Sequence, residues 1–162
     1  GRWSRFASFV YHPTTILRYL RGEHRPGEHL DVGHNPLGAF SVFALLGVLA
    51  AQVATGLVAD DEISTTGPLI RFVSGAVSSA ATSWHKSWGE WLIIGLVVLH
   101  VGAIVYYAVG KRQNLVRAMF SGDKMLPAGV PPSADHVGVR GIALVLVALC
   151  AACVGWLVSL EG

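Results

Sequence analysis

The sequence predicts an all-α membrane protein with three transmembrane helices. Three observations carry this reading. Hydrophobic residues make up 52% of the 162-residue chain and charged residues only 14%, a balance foreign to soluble proteins. Three stretches, Pro36 to Ala59, Trp91 to Gly110 and Gly141 to Leu160, contain no Asp, Glu, Lys or Arg. Each meets the need for about 20 apolar residues to cross about 30 Å of hydrocarbon. The ten acidic and twelve basic residues all lie outside these runs, and the net charge of +2 is too small to suggest a nucleic-acid surface. None of the three runs is N-terminal, so no signal peptide is visible. The chain begins with Gly1 rather than Met, and is expected to start inside a longer protein.

Residues 1–35 are polar, with Phe6, Phe9, Val10, Ile16, Leu17 and Leu20 breaking up five arginines, a pattern suited to short interfacial helices. Arg18 to Gly22 reads as a helix end, with basic residues in the last turn followed by glycine. Pro26-Gly27 marks a turn. Pro36 suits the first turn of the first span. Asp60, Asp61 and Glu62 end that span and read as a solvated helix terminus rather than an acid–base pair. Residues 63–84 read as a loop with one short helix, Leu69 to Ser79. Residues 111–140 are basic again and made irregular by Pro127, Pro131 and Pro132. Cys150 and Cys153 lie in the apolar run ALCAACVGW, where a thiol does not readily ionise, and read as small packing residues.

Charge sets the expected orientation. Five Lys/Arg precede the first span, two (Arg71 and Lys86) separate the first from the second, five separate the second from the third, and none follows. By the positive-inside rule, residues 1–35 and 111–140 are cytoplasmic, while residues 60–88 and the C-terminus face outward. Trp84, Trp88 and Trp91 then form an outer aromatic belt, with Tyr106 and Tyr107 at the inner interface.

His85 and His100 are the candidate functional residues. A histidine inside a span is expensive unless it has a partner, and haem iron is one such partner. Steps of three and four residues from His85 give Gly89, Leu92, Leu96, His100, Ala103 and Tyr107, so both histidines fall on one helical stripe. The small Gly89 and Ala103 leave room there for a bulky flat group. Fifteen residues separate the rings by about 22 Å along a helix axis, enough for two haems stacked across a bilayer. Each would take a second axial ligand from another helix. The bland alternatives stay open: a solvated interfacial His85 beside Lys86, and a His100 bonded to a neighbouring helix. Gly47, Ala51 and Thr55 form a small-residue face for close helix packing or for a haem edge. Gln52 is the one amide of the first span and could reach a neighbour or a quinone. His34 reads as fixing the helix start. His12, His24, His29 and His136 read as solvated, without zinc spacing.

HNPLGAFSVFALLGVLAAQVATGLVADDEISTTGPL, HKSWGEWLIIGLVVLHVGAIVYY and NLVRAMFSGDK together resemble the prokaryotic cytochrome b561 family, which includes the b-type cytochrome subunits of nickel-iron hydrogenases. The opening WSRFASFVYHP is similar to the segment after that family's second span. The resemblance implies a four-helix bundle holding two b-type haems, often with an extra helix. Residues 1–124 would be a partial domain with spans at about 36–59 and 88–110, lacking the first two family spans. Residues 125–162 would be a linker and an additional C-terminal transmembrane helix at about 139–160. The resemblance also implies that His85 and His100 are haem iron ligands, with the opposite ligands absent from this chain. The family pair stands close to fourteen residues apart. The extra residue here could be taken up by a widened turn at Ser87 to Glu90. Arginines near the cytoplasmic interface, Arg112 among them, could pair with haem propionates.

The implied function is a membrane-bound b-type cytochrome of the bacterial inner membrane. It would carry electrons between a quinone pool and a redox partner, rather than act as an enzyme with its own substrate chemistry. Membrane lipid, a quinone, and a c-type cytochrome or hydrogenase-like partner are expected, and a homodimer is left open. The alternative is a haem-free membrane anchor or transporter subunit whose histidines pack or relay protons.

Overall fold

The computed structural model describes residues 2–23, 25–122, 125–126 and 128–161. The readings of His24 as solvated, of Lys124 as part of the basic link and of Pro127 as a break fall outside these residues. Among the described residues, helices form the whole architecture apart from one isolated bridge between Asp60 and Thr66. In chain order they are α1 (Pro13–Leu20), α2 (Pro36–Gly56), α3 (Gly75–Trp84), α4 (Glu90–Val109), α5 (Leu115–Ser121) and α6 (Val137–Val158). A π turn, His85–Gly89, joins α3 to α4, so that Gly75–Val109 is one continuous helix. This helix, α2 and α6 are long and apolar enough to cross a membrane. The protein is an all-α, multi-pass membrane protein.

The chain divides into two compact units, and both α2 and α4 pass through each. The first comprises Gly1–Ala44 and Val97–Asp135. Its N-terminal segment folds back by side-chain anchors. Phe9 is buried, with Phe6 and Phe43 ring centroids 5.7 and 5.6 Å away and the His34 ring at 4.6 Å. Trp3 Nε1 donates to the Pro131 carbonyl at 3.0 Å. Helix α1 starts at Pro13 with His12 at its N-cap, so His12 has a capping role beyond simple solvation. It ends as the sequence indicates, with Gly22 at φ +73°. Arg18 grips Glu28 with two hydrogen bonds, at 2.8 and 3.1 Å, which holds the Glu28 carboxyl below its usual range. Asn35 caps α2 by accepting from the Gly38 amide at 2.7 Å and donates to Tyr107 Oη at the same distance. Tyr107 also meets Tyr19 Oη at 3.1 Å. Burial and this contact push the Tyr19 phenol up.

The second unit comprises Leu45–Leu96 and His136–Gly162. Helix α2 ends at Gly56 although the apolar run continues to Ala59. Residues 57–69 fold back instead: the Gly67 amide donates to Ala59 and that of Leu69 to Leu57, at 2.7 and 2.8 Å. A side chain at Gly67 would collide with the Gly56–Leu57 backbone. The Asp61 carboxylate accepts from the amides of Ile63, Ser64 and Thr65, which lowers its pKa to about 2. The acidic run is therefore a structured turn rather than a bare helix terminus. The short helix expected at Leu69 to Ser79 is displaced. Ile70–Phe72 forms a single 3-10 turn, and α3 begins only at Gly75, where Ser74 caps it. Trp84, Trp88 and Trp91 are exposed, as an aromatic belt requires. The packing role expected of Cys150 and Cys153 is not met within this chain, because both are free thiols exposed on α6.

Candidate haem-ligand sites

His85 is the first residue of the π turn and lies against α2 in the second unit. The widened turn that the fifteen-residue spacing suggests is thus present, at His85–Gly89 rather than at Ser87 to Glu90. A π turn holds one residue more than an α turn and so absorbs the extra residue of the spacing. Thr55 Oγ1 donates to the Ala51 carbonyl at 2.7 Å, which leaves its lone pairs free. His85 Nδ1 stands 3.2 Å from that oxygen. With the hydroxyl proton committed to Ala51, this contact suits an Nδ1–H donor, which would leave the Nε2 lone pair for a ligand. That is the imidazole form that ligates a metal through Nε2, with the other nitrogen oriented by a hydrogen bond. The ring also faces bare backbone. A Cβ at Gly56 would lie 2.9 Å from His85 Cε1 and 3.7 Å from Nε2. A neutral imidazole held at Nδ1 has the donor chemistry of a haem ligand, and the glycine lets its ring pack closely on α2.

The turn itself is gripped from α2. Gln52 Nε2 donates to the His85 carbonyl at 3.2 Å. The Gln52 carboxamide lies over Gly89, which is buried, and a Cβ there would collide with it. This corrects one expectation: the space at Gly89 that the stripe offered to a flat group holds the Gln52 side chain. Of the small-residue face expected at Gly47, Ala51 and Thr55, the close approach falls at the Thr55 end. A Cβ at Gly47 would meet nothing within 4 Å, so the tight approach lies at Thr55 and Gly56.

His100 belongs to the first unit and sits in regular α-helix, half-buried. Its Nδ1 is 3.4 Å from Ser41 Oγ on α2, a long contact. Here too Nδ1 faces a hydroxyl and Nε2 is the nitrogen left for a ligand. His34 lies in the same unit, its ring packed at a 45° tilt against Phe9, and its carbonyl accepts from Tyr11 Oη at 2.9 Å. Burial lowers the His34 pKa. These contacts fit a residue that fixes the start of α2. Among the described residues, no group of three or more His, Cys, Asp or Glu could hold a bare metal ion. Sequence reasoning did not single out Ser41 or Gly56 and left Gln52 undecided. Polar residues inside an apolar span were the available signal.

Residues 2–122 match the family model described as prokaryotic cytochrome b561. The chain belongs to the prokaryotic cytochrome b561 family. This b561-family chain is also 30% identical over 105 residues to a protein of Cupriavidus necator described as a probable Ni/Fe-hydrogenase B-type cytochrome subunit. The aligned region is 60% of this chain and 42% of that relative, so the chain spans less than half of the relative's length. No solved structure matches the chain significantly. The family is one of b-type cytochromes, and haem b is the cofactor it implies.

Proposed function

We propose that this b561-family chain is part of a b-type cytochrome that carries electrons between a quinone pool and a hydrogenase-like or c-type cytochrome partner. It does so in the bacterial inner membrane, with residues 1–35 and 111–140 cytoplasmic and residues 60–88 and the C-terminus periplasmic. Residues 1–124 form the cytochrome part, and residues 125–162 a linker and an additional membrane helix. His85 and His100 are the residues that would hold haem b, each through Nε2. The bound haems would supply one-electron iron centres.

The observation that carries this reading is the Thr55–His85 contact, because a hydroxyl already donating to Ala51 suits Nδ1–H and would leave Nε2 for haem iron. Thr55 and Ser41 face Nδ1 of the two imidazoles, and Gly56, with no Cβ, lets the His85 ring pack closely on α2. On the cytoplasmic side, Arg112 and Arg117 line one groove with Phe120, which offers cations to haem propionates.

The test is the reduced-minus-oxidised absorption spectrum of membranes holding the protein as the cell makes it, against membranes of a strain that lacks it. The expected result is b-type bands that appear on adding a quinol. Identical spectra from the two strains would overturn the reading and favour a haem-free anchor or transporter subunit.

A further inference from the structure

We propose that Gln52 is a positioning residue. Its carboxamide holds the π turn His85–Gly89 in place and through it sets the direction of the His85 ring. The inference rests on the reading of His85 as a haem ligand.

A π turn inside a helix breaks the regular hydrogen-bond ladder and needs compensation. Gln52 supplies it. Its Nε2 donates to the carbonyl of His85, the first residue of the turn. The last residue of the turn, Gly89, is buried directly beneath the carboxamide, and Trp84 Nε1 bounds the other side at 3.1 Å from where a Cβ would stand. Any larger residue at 89 would push Gln52 out. The turn thus begins at the acceptor that Gln52 binds and ends at the glycine that gives Gln52 room.

The hydrogen bond runs one way only. Gln52 Oε1 is buried and has no partner among the described residues. Among the described residues the amide is therefore held by its donor end alone, and leaving Oε1 unpaired is a cost of that placement. Thr55, three residues further along α2, holds the same histidine at Nδ1. One face of α2 thus grips His85 at its backbone and at its ring, and the two contacts together fix χ1 and χ2 of a candidate ligand. With the carbonyl released, the turn would be free to re-form as ordinary α-helix and rotate the ring away from Thr55.

The test compares Gln52→Met, which keeps the length and removes the donor, with Gly89→Ala, which displaces the carboxamide. Both are made in the protein as the cell produces it. The readout is the low-spin ferric EPR signal of the haem whose signal His85→Ala abolishes, together with haem retention at that site. Both variants are expected to shift that signal and to weaken haem retention about tenfold, the low end for loss of an orienting contact. The second haem signal should not move. The double variant should show no more than the larger single effect. Deleting Ser87 turns the π turn into an α turn, and in that background Gln52→Met should have no effect. The inference is overturned if Gln52→Met leaves the His85-dependent signal unshifted. It is also overturned if the two single effects add, or if both signals move together. If His85→Ala abolishes no haem signal, the ligand reading itself has failed, and this inference falls with it.

Discussion

His85 and His100 sit in opposite kinds of surroundings. The His85 region is irregular and heavily determined. A π turn, a buried glycine, a hydroxyl at 3.2 Å from Nδ1 and an amide on the carbonyl all bear on one residue. The His100 region is regular helix with one long hydroxyl contact, and its polar bonding is concentrated instead around Tyr107, where Asn35 and Tyr19 meet. In the sequence alone, His100 looks the firmer ligand because it lies deep in an apolar run. The structure shows that depth and orientation are separate matters. His100 is placed by its helix, and His85 by its neighbours.

The comparison breaks most sharply at glycine. Gly56→Ala is expected to cost about 1–3 kcal/mol through overpacking against the His85 ring, measured by unfolding in detergent. Gly47→Ala, nine residues earlier on the same helix with open space around it, is expected to gain up to about 1 kcal/mol. Equal effects would erase the distinction between a gripped face and a free one. A comparable contrast holds for the hydroxyls. Thr55→Val should lower haem retention at the His85 site about tenfold, and Ser41→Ala should change the His100 site by less than about threefold. Haem titration of each variant reads this directly.

Tyr107→Phe removes the shared hydroxyl of the first unit and should cost about 1 kcal/mol, while leaving the His85-dependent EPR signal unchanged. The smallest effect is that of pH on the turn at Asp61. This carboxyl is lowered from 3.8 to about 2, so its hold on the Ile63, Ser64 and Thr65 amides is complete above the unfolded value. That hold is lost as pH falls from there through about 2. Amide chemical shifts of those three residues should report the loss over that window, and Asp61→Ala should show no such titration.

Much of the fold was legible because it follows from local chemistry. Pro36 begins its helix, Gly22 ends one, and the three apolar runs became the three long helices. The errors have physical causes too. Apolarity continues past Gly56 to Ala59, but a fold-back held by Gly67 and Leu69 ends the helix sooner. Ser, Thr and Gly crowd the segment before His85, so it reads as a loop with one short helix at Leu69 to Ser79. Yet α3 runs from Gly75 straight into the π turn. The fifteen-residue spacing foretold a widened turn, though not that it would start at the histidine itself. Gly89 makes room, as its size implies, but for the Gln52 carboxamide rather than for a flat group. Which residue of one helix faces which residue of another is a tertiary fact, and a single sequence carries no direct record of it. Hence Gln52 could be noticed as the one amide in its span without its partner being found.

The most direct test of the account is the haem-to-protein ratio of the protein as the cell makes it, alongside that of His85→Ala and His100→Ala. The account predicts that each substitution removes one of two haems and a different spectral component. Retention of both haems in either variant would contradict it.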